Sequence, residues 1–270
     1  MKALIDGDIL RYEIGFGAET GWRAIQENIA LLEWRSPIPP FDYVASLLEQ
    51  RLEWIMTQTQ ATSYKIFITE GRTFRFDIAT TRPYKGSRIE KKPWHFKNLT
   101  GYLEGVLDAE VVTGIEADDA ITLEHLASNG STIICSRDKD LRQVSGRFYS
   151  WELGNQPSFG PTDISDPGTL SLSEDRKKIR GTGFASFCAQ VLMGDATDNI
   201  PGLGGCGPVA TYNYLRDCHT ELDYLVAVTE AYYLSGMDDE YLLEQGRLCW
   251  MTRRLNSDGS PELWQIGMTE

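Results

Sequence analysis

The segment from Met193 to Gly207 combines two kinds of residue that could do chemistry on phosphate. Its first half places two carboxylates, Asp195 and Asp198, three positions apart, and its second half is rich in glycine. Hard divalent cations prefer oxygen ligands, so the acidic half suits a metal ion. Residues without a Cβ let main-chain N–H groups approach an anion closely, so the glycine half suits a phosphate backbone. The segment therefore predicts phosphodiester chemistry on nucleic acid.

More acids recur at the ends of predicted strands and at a predicted helix start. They are Asp6, Glu70, Glu116, Asp118, Asp119, Asp138 and Asp140. Each cluster alone has a plainer explanation as a turn, a helix N-terminus or a solvated cap. Their common placement favours a metal site, because carboxylates brought together repel and raise one another's pKa unless cations are bound. Two ions about 3.5–4 Å apart would relieve that repulsion and stabilise both oxygens of a phosphodiester displacement.

Short apolar runs alternate with stretches of helical periodicity. Strands are predicted over 2–6, 64–69, 110–113 and 131–135, and helices over about 40–58 and from Ala117. This alternation predicts a parallel α/β sheet with helices on both faces and functional groups beyond the carboxyl ends of the strands. From about 183 onward the pattern is helical, with a last short strand at 263–266. The 154–168 stretch is the most loop-like part of the chain.

A basic and aromatic segment lies between the second and third strands. From Arg72 to Lys97 there are eight Lys/Arg residues and two acids, Asp77 and Glu90, a local charge of +6 (8 − 2) in a chain of net charge −13. Basic residues neutralise phosphates, and the interleaved aromatic residues offer faces on which unpaired bases stack. The plainer alternative is a solvated, lysine-rich helix. The segment predicts a nucleic-acid contact that is mobile until substrate binds.

Composition limits the class of protein. A chain of 270 residues with 41% hydrophobic content can form one large domain or two fused lobes. The acidic pI near 4.8 is unusual for a nucleic-acid binder, but carboxylates that converge on metal ions account for part of it. No apolar run approaches the roughly 18 residues of a membrane span, and the early Asp6 predicts no secretory signal. Five scattered cysteines, never spaced C-x-x-C, favour reduced thiols in a cytosol.

An ordered set of motifs resembles the flap endonuclease / 5′–3′ exonuclease family. The set is Asp6, Glu70, Tyr84-Lys-x-x-Arg88, Glu116-Ala-Asp-Asp119, Asp138-Lys-Asp140 and Gly194-Asp-x-x-Asp-Asn-Ile-Pro-Gly202. The family includes the 5′-nuclease domain of bacterial DNA polymerase I and the short 5′-exonucleases of bacteriophages. The likeness covers about residues 1–215, and 244–264 resembles the phage enzymes. It implies a PIN-like core over 1–182, with a helical arch at about 72–105, and a helix–three-turn–helix lobe over 183–270.

The resemblance also implies a site with two Mg²⁺ ions, for which Mn²⁺ would substitute. The first ion would be held by Asp6, Glu70, Glu116, Asp118 and Asp138, and the second by Asp138, Asp140, Asp195 and Asp198, with Asp119 in the same acidic set. Lys85 and Arg88 would contact the scissile phosphate as catalytic residues. The other expected DNA contacts are Arg72, Phe74, Tyr84, Lys91, Lys92, Gly202, Gly204, Gly205 and Gly207, the glycines around a K⁺ ion.

The activity implied is a metal-dependent 5′–3′ exonuclease or flap endonuclease on DNA with a 5′ end, flap or nick. It would act in the cytoplasm, which for a phage-encoded enzyme is the host cytoplasm, with replication proteins as candidate partners and no membrane partner. Two alternatives stay open: an RNA-directed 5′ nuclease, acting on RNA/DNA hybrids or as a PIN ribonuclease, and a catalytically silent DNA-junction-binding protein. Two departures from the family are Glu70, where Asp is usual, and Pro208-Val-Ala, where a basic residue usually follows the glycines.

Overall fold

A six-stranded sheet in the order β3-β2-β1-β4-β5-β6 lies at the centre of the computed structural model, which describes residues 1–28, 36–88 and 91–269. The strands are β1 (Lys2–Asp6), β2 (Ser63–Thr73), β3 (Glu110–Gly114), β4 (Thr132–Cys135), β5 (Gly146–Ser150) and β6 (Phe159–Ile164). Neighbours among the first five pair in parallel, and β6 is antiparallel to β5. A separate hairpin joins β7 (Thr169–Leu172) to β8 (Ile179–Thr182). The carboxyl ends of the parallel strands therefore share one edge.

Helices connect and cover these strands. They are α1 (Gly7–Asn28), α2 (Phe41–Thr59), α3 (Arg75–Ile78), α4 (Phe96–Gly105), α5 (Ala117–Ala127), α6 (Gly183–Met193), α7 (Pro208–Leu215), α8 (Glu221–Leu234) and α9 (Asp239–Cys249), with a 3₁₀ turn at Asp140–Gln143. Among the described residues, no helix combines the length and apolar character that a membrane crossing requires.

Alternation along the strands sends side chains to two cores. Ala3 and Ile5 of β1 pack on the face covered by α1, α2 and α4, whereas Leu4 packs on the opposite face with α5. A third core fills the C-terminal helices around the buried Trp250 and Trp264. The sheet edge that carries the acids thus lies between two packed layers.

The predicted parallel α/β sheet is confirmed. The strands and helices expected before residue 136 lie within a few residues of the observed ones, and α5 begins at Ala117 as predicted. One difference affects the site, because β2 continues to Thr73 and its pairing with β3 shifts register between Glu70 and Thr73. Glu70 therefore lies inside a strand, not at its end.

Three other expectations differ from the structure. The 22-residue α1 starts directly after Asp6, where the sequence pattern predicts no helix. The loop-like 154–168 stretch contains all six residues of β6, which pairs at the sheet edge. The expected strand at 263–266 does not form, because Trp264 turns into the C-terminal core and is 1% exposed.

The segment between β2 and α4 lies within the range of about 72–105 that is predicted to form a helical arch. In its described residues the four-residue α3 is followed by turns, while Ile89 and Glu90 lie outside the described part of the chain. Glu244 of α9 fastens this segment, since its carboxylate accepts hydrogen bonds of 2.6–2.8 Å from the amides and hydroxyls of Thr80 and Thr81. Helix α6 begins at Gly183, but the division into two domains there stays a prediction.

Candidate active site

Asp6 joins the ends of two neighbouring strands. It is the last residue of β1 and 2% exposed. One carboxylate oxygen accepts the amide of Ile9 (3.1 Å) in the first turn of α1, and the other accepts the hydroxyl of Ser136 (2.8 Å) just after β4. Burial, reinforced by the negative charge of Asp8, raises the pKa of Asp6 to about 6. The carboxylate is thus fixed by hydrogen bonds, while burial and Asp8 disfavour its ionised form.

Asp138 and Asp140 are ordered by a chain of short hydrogen bonds that begins at the same serine. The Ser136 hydroxyl accepts the amide of Asp138 (2.9 Å), and the Asp138 carboxylate accepts the amide of Asp140 (2.9 Å), where the 3₁₀ turn starts. Burial and the charge of Asp140 raise the pKa of Asp138 to about 8. The pKa of Asp140 is raised as well, chiefly by burial.

The start of α5 brings three more acids to this edge. Glu116 is the N-cap, and a capping box links its side chain with the amide of Asp119 and the Asp119 side chain with the amide of Glu116. Asp118 lines the same cavity as Asp6 and Asp138. Burial and then the charges of Asp6 and Asp138 raise the pKa of Asp118 well above its usual value. Acids from three separate chain segments therefore repel one another at one place.

Asp119 lies apart from that cluster. It is fully buried and forms a two-bond ion pair with Arg75 (2.6 and 2.8 Å), while its oxygens also accept the amides of Glu116 (3.1 Å) and Thr252 (2.9 Å). Although burial raises its pKa, the charge and hydrogen bonds of Arg75 lower it overall. All of its near partners are protein groups, so the arrangement is that of a structural anchor. Its assignment as a metal ligand stays a prediction without an open oxygen to support it.

Asp195 and Asp198 come from a loop closed by backbone pairing. Asp195 and Ile200 exchange two main-chain hydrogen bonds (2.9 and 2.8 Å), and one Asp195 oxygen accepts the amides of Thr197 (2.7 Å) and Asp198 (3.3 Å). The loop ends at Gly202, where φ is +60° and an added Cβ would lie 2.2 Å from the Gly194 nitrogen. Only glycine fits there, so this glycine shapes the acid loop itself.

Three basic side chains hold the acids. Lys85 contacts Glu116 (2.6 Å), Arg88 contacts Asp198 (2.5 Å) and Lys139 contacts Asp195 (2.7 Å). The amide of Lys85 also donates to the Asp198 carbonyl (2.8 Å), which docks the predicted arch on the acid loop. The two predicted catalytic cations are thus brought directly to predicted metal ligands.

Tyr84 is placed differently from the expectation that it stacks on an unpaired base. Its ring is 4% exposed and packs edge-on against Phe76 at 5.3 Å between centroids. Its hydroxyl lies 3.0 Å from carboxylate oxygens of both Glu116 and Asp198. In this arrangement Tyr84 orients two carboxylates, and a stacking role would require the ring to leave its core.

The remaining predicted DNA contacts have varied surroundings, and of these residues Lys92 lines the cavity that also carries the acids. Arg72 is exposed, pairs with Asp77 (2.7 Å) and lies over the Phe76 ring (5.0 Å). The half-buried Phe74 packs under the guanidinium of Arg75 at 4.7 Å. Lys91 is exposed, and Lys92 lies 4.9 Å over the ring of Phe96. Gly204, Gly205 and Gly207 border open space, since an added Cβ meets no atom within 4 Å. Their contacts with DNA stay predictions.

The positions of two acids, Glu70 and Asp8, differ from what the sequence predicts. Glu70 is exposed at the wall of the active-site cavity, so the structure does not bring it into the buried cluster. Asp8, which is not among the predicted site acids, lies in the first turn of α1, pairs with Arg11 and accepts the amide of Thr69 (3.1 Å). Its charge raises the pKa of both Asp6 and Asp118. The signal that could have found Asp8 is its place in a helix start directly after a buried strand.

A cavity of about 1410 Å³ connects these groups. Its walls carry Asp6, Asp118, Asp138, Asp140, Asp198 and Glu116 together with Lys85 and Arg88. Within the described residues, no three such acids stand close enough to enclose a metal ion in this arrangement. The donor set is nevertheless that of a hard divalent cation, because the donors are carboxylate oxygens and the buried ones have raised pKa values that a cation would offset.

Comparison with family models gave no match. Among curated proteins, DNA polymerase I of Chloroflexus aurantiacus is 30% identical over 173 residues, which cover 60% of this chain and 18% of that protein. Flap endonuclease Xni of Shewanella sp. strain ANA-3 is 29% identical over 126 residues, covering 45% of this chain and 44% of that protein. The chain thus spans less than half the length of either relative.

A solved structure resembles the whole chain. The bacteriophage T5 D15 flap endonuclease, crystallised as a pseudo-enzyme–product complex with DNA and metal ions, matches with a TM-score of 0.61. The match covers 92% of this chain and 88% of that one at 16% identity. At that identity the likeness establishes the fold.

Proposed function

We propose, from the relation of this chain to the flap endonucleases and 5′–3′ exonucleases, that it is a divalent-metal-dependent 5′ nuclease acting on DNA with a free 5′ end, flap or nick. The observation that carries the proposal is the meeting of acids from four separated segments at one sheet edge, facing two arch cations. The relatives named flap endonuclease and DNA polymerase I favour DNA over RNA as the substrate. The cytoplasm is the compartment where such an enzyme would work.

The residues present suit two ions, which we take to be Mg²⁺. Asp6, Glu116, Asp118 and Asp138 would hold the first, with Glu70 reaching in from the cavity wall, and Asp138, Asp140, Asp195 and Asp198 would hold the second. When bound, such ions activate the attacking water and stabilise charge on the attacking and leaving oxygens of an in-line displacement. The role of a K⁺ ion beside the glycine loop belongs to the same proposal.

Lys85 and Arg88 supply positive charge where the phosphate would lie. Both are held at the acids by ion pairs, and a bound cation would compete for the same carboxylates. Lys85, once released from Glu116, would reach a phosphate oxygen at the cavity, where negative charge develops in the transition state. Arg88 would do so in a planar, two-bond geometry. Lys85 and Arg88 would thus leave the carboxylates of Glu116 and Asp198 and pair with the substrate phosphate.

The glycine loop would grip the duplex. Gly204, Gly205 and Gly207 border open space, so the amides of Gly204 and Gly205 can approach a phosphate without a Cβ in the way, whereas the amide of Gly207 donates to the Gly205 carbonyl (3.2 Å). Such contact is independent of sequence and contributes to the salt dependence of binding. The chain has Pro208 and Val209 where a basic residue would add to this grip, so its duplex affinity rests more heavily on the amides.

Cleavage of end-labelled substrates tests the proposal. Flap, nicked and RNA/DNA hybrid substrates carrying 5′ or 3′ labels would be incubated with and without Mg²⁺. We expect Mg²⁺-dependent release from the 5′ end of DNA, which a bulky 5′ adduct suppresses. Preference for the RNA strand of a hybrid would replace DNA with RNA as the substrate. Binding of junctions without any cleavage would favour a silent binding protein, and equal digestion from 3′ ends would contradict the 5′ polarity.

A further inference from the structure

Lys139 lies in sequence between the predicted metal ligands Asp138 and Asp140, and its side chain contacts a third predicted ligand, Asp195. Its Nζ is 2.7 Å from one oxygen of Asp195 and 3.2 Å from one oxygen of Asp140, although 64% of the lysine side chain is exposed. Asp140 and Asp195 come from different segments and are otherwise like charges that disfavour each other's ionisation. The ammonium therefore bridges a pair that would repel without a cation.

The oxygen that Lys139 occupies is the one that a metal ion would need. The other Asp195 oxygen already accepts the amides of Thr197 and Asp198, so it is turned toward the backbone of its own loop. The second Asp195 oxygen is held by Lys139 at 2.7 Å, with Gln190 at 3.5 Å. A second divalent ion that uses Asp140 and Asp195 would have to displace this ammonium.

We propose that Lys139 is a tethered counter-ion that competes with the second metal ion for Asp140 and Asp195. This inference rests on the proposed metal-dependent function and goes beyond it, since it assigns a residue that weakens the second site. The exposed stem lets the lysine swing into solvent without disturbing the packing of the core. With the lysine in place the acid pair is neutralised before metal binds, and the second ion binds at higher concentration than the first.

Calorimetric titration with Mn²⁺ in the absence of DNA tests the competition. The proteins compared are the wild type, Lys139→Met, Lys139→Arg and the control Lys177→Met, whose lysine forms no ion pair with a described acid. We expect Lys139→Met to bind the weaker ion about fivefold more tightly, because the competing positive charge of this largely exposed lysine is gone. Lys139→Arg and Lys177→Met should remain within about twofold of the wild type.

A second readout separates competition from misfolding. In EDTA the unfolding temperature of Lys139→Met should fall below that of the wild type, because Asp140 and Asp195 are then unpaired, and saturating Mn²⁺ should restore it. If the wild type binds two ions and a folded Lys139→Met binds the second ion equally or more weakly, the role of Lys139 is overturned and the proposed metal dependence is not. A wild type that binds no Mn²⁺ would overturn this inference together with the proposed metal dependence.

Discussion

Replacing Asp6 by Asn removes one charge from the acid cluster with little change of shape. The variant can form a hydrogen bond at both places: its oxygen can accept the Ile9 amide, and its NH₂ group can donate to the Ser136 hydroxyl, which is the donor to Asp6 in the wild type. Folding raises the Asp6 pKa from 3.8 to about 6. Because one pKa unit corresponds to about 1.4 kcal/mol, ionised Asp6 lowers the free energy of unfolding by about 3 kcal/mol.

The sign of this effect depends on pH. At low pH Asp6 is protonated in both the folded and the unfolded protein, so the substitution has little electrostatic effect. As the pH rises from about 4 through about 6, the folded protein holds its proton longer than the unfolded one, and the wild type loses stability. In EDTA at pH 7.5, Asp6→Asn should therefore be more stable than the wild type by up to about 3 kcal/mol.

Urea unfolding followed by circular dichroism measures the difference. Wild type and Asp6→Asn would be compared in EDTA at pH 4.5 and 7.5, with the exposed Asp217→Asn as the control. We expect the stabilisation of Asp6→Asn at pH 7.5 to shrink toward zero at pH 4.5. Saturating Mg²⁺ should make the wild type the more stable protein, because a ligand stabilises the protein that binds it better. If the difference in free energy of unfolding did not depend on pH, or if Asp6→Asn were less stable than the wild type at pH 7.5, the ionised Asp6 would not be destabilising in the folded protein.

Three further predictions concern neighbouring residues. Asp119→Ala removes the two-bond partner of the buried Arg75 and leaves it only Glu116 at 3.5 Å and two backbone carbonyls, so the free energy of unfolding in urea should fall by about 3 kcal/mol; a loss below about 1 kcal/mol would contradict the anchor. Lys85→Met should slow single-turnover cleavage by about 100-fold with little change in DNA affinity, and lost affinity at an unchanged rate would reassign it to binding. Gly204→Val should weaken binding of nicked duplex but not of single strands in anisotropy titrations, because the added side chain would stand where a duplex phosphate approaches the backbone. The variant should fold, since the φ of Gly204 is not in the left-handed region and its surroundings are open. Equal effects on both substrates would exclude a duplex grip.

Much of the fold and of the acid cluster could be predicted from sequence because both follow local rules. Parallel strands read as short apolar runs, and an acid directly after such a run must lie at the carboxyl edge of the sheet. Asp6 and Asp138 were assigned on that basis, and the structure places both at the same edge with Ser136. The resemblance to the flap endonuclease / 5′–3′ exonuclease family is confirmed by the sequence relatives.

The long-range pairings could not be predicted in this way. Asp119 has the same local setting as Asp118, and only its contact with Arg75, which is 44 positions away, separates an anchor from an acid that faces the cluster. Likewise, Lys139 lies in an ordinary acidic turn until the loop of Asp195 folds against it. Tyr84 belongs to an aromatic, basic segment typical of nucleic-acid contacts, but its hydroxyl lies between two carboxylates. Such partners depend on tertiary packing, which a local pattern does not contain.

The proposed function assigns metal-dependent cleavage of DNA from the 5′ end to the acids at the sheet edge. The most direct test is single-turnover cleavage of a 5′-labelled flap in Mg²⁺ by wild type and Asp118→Asn, with folding checked by circular dichroism and DNA affinity measured in EDTA. Asp118 faces Asp6, Asp138 and Glu116, so its loss should reduce the rate by at least about 100-fold while DNA affinity changes little. A folded variant that retains more than about a tenth of the wild-type rate would contradict a catalytic metal site at these carboxylates.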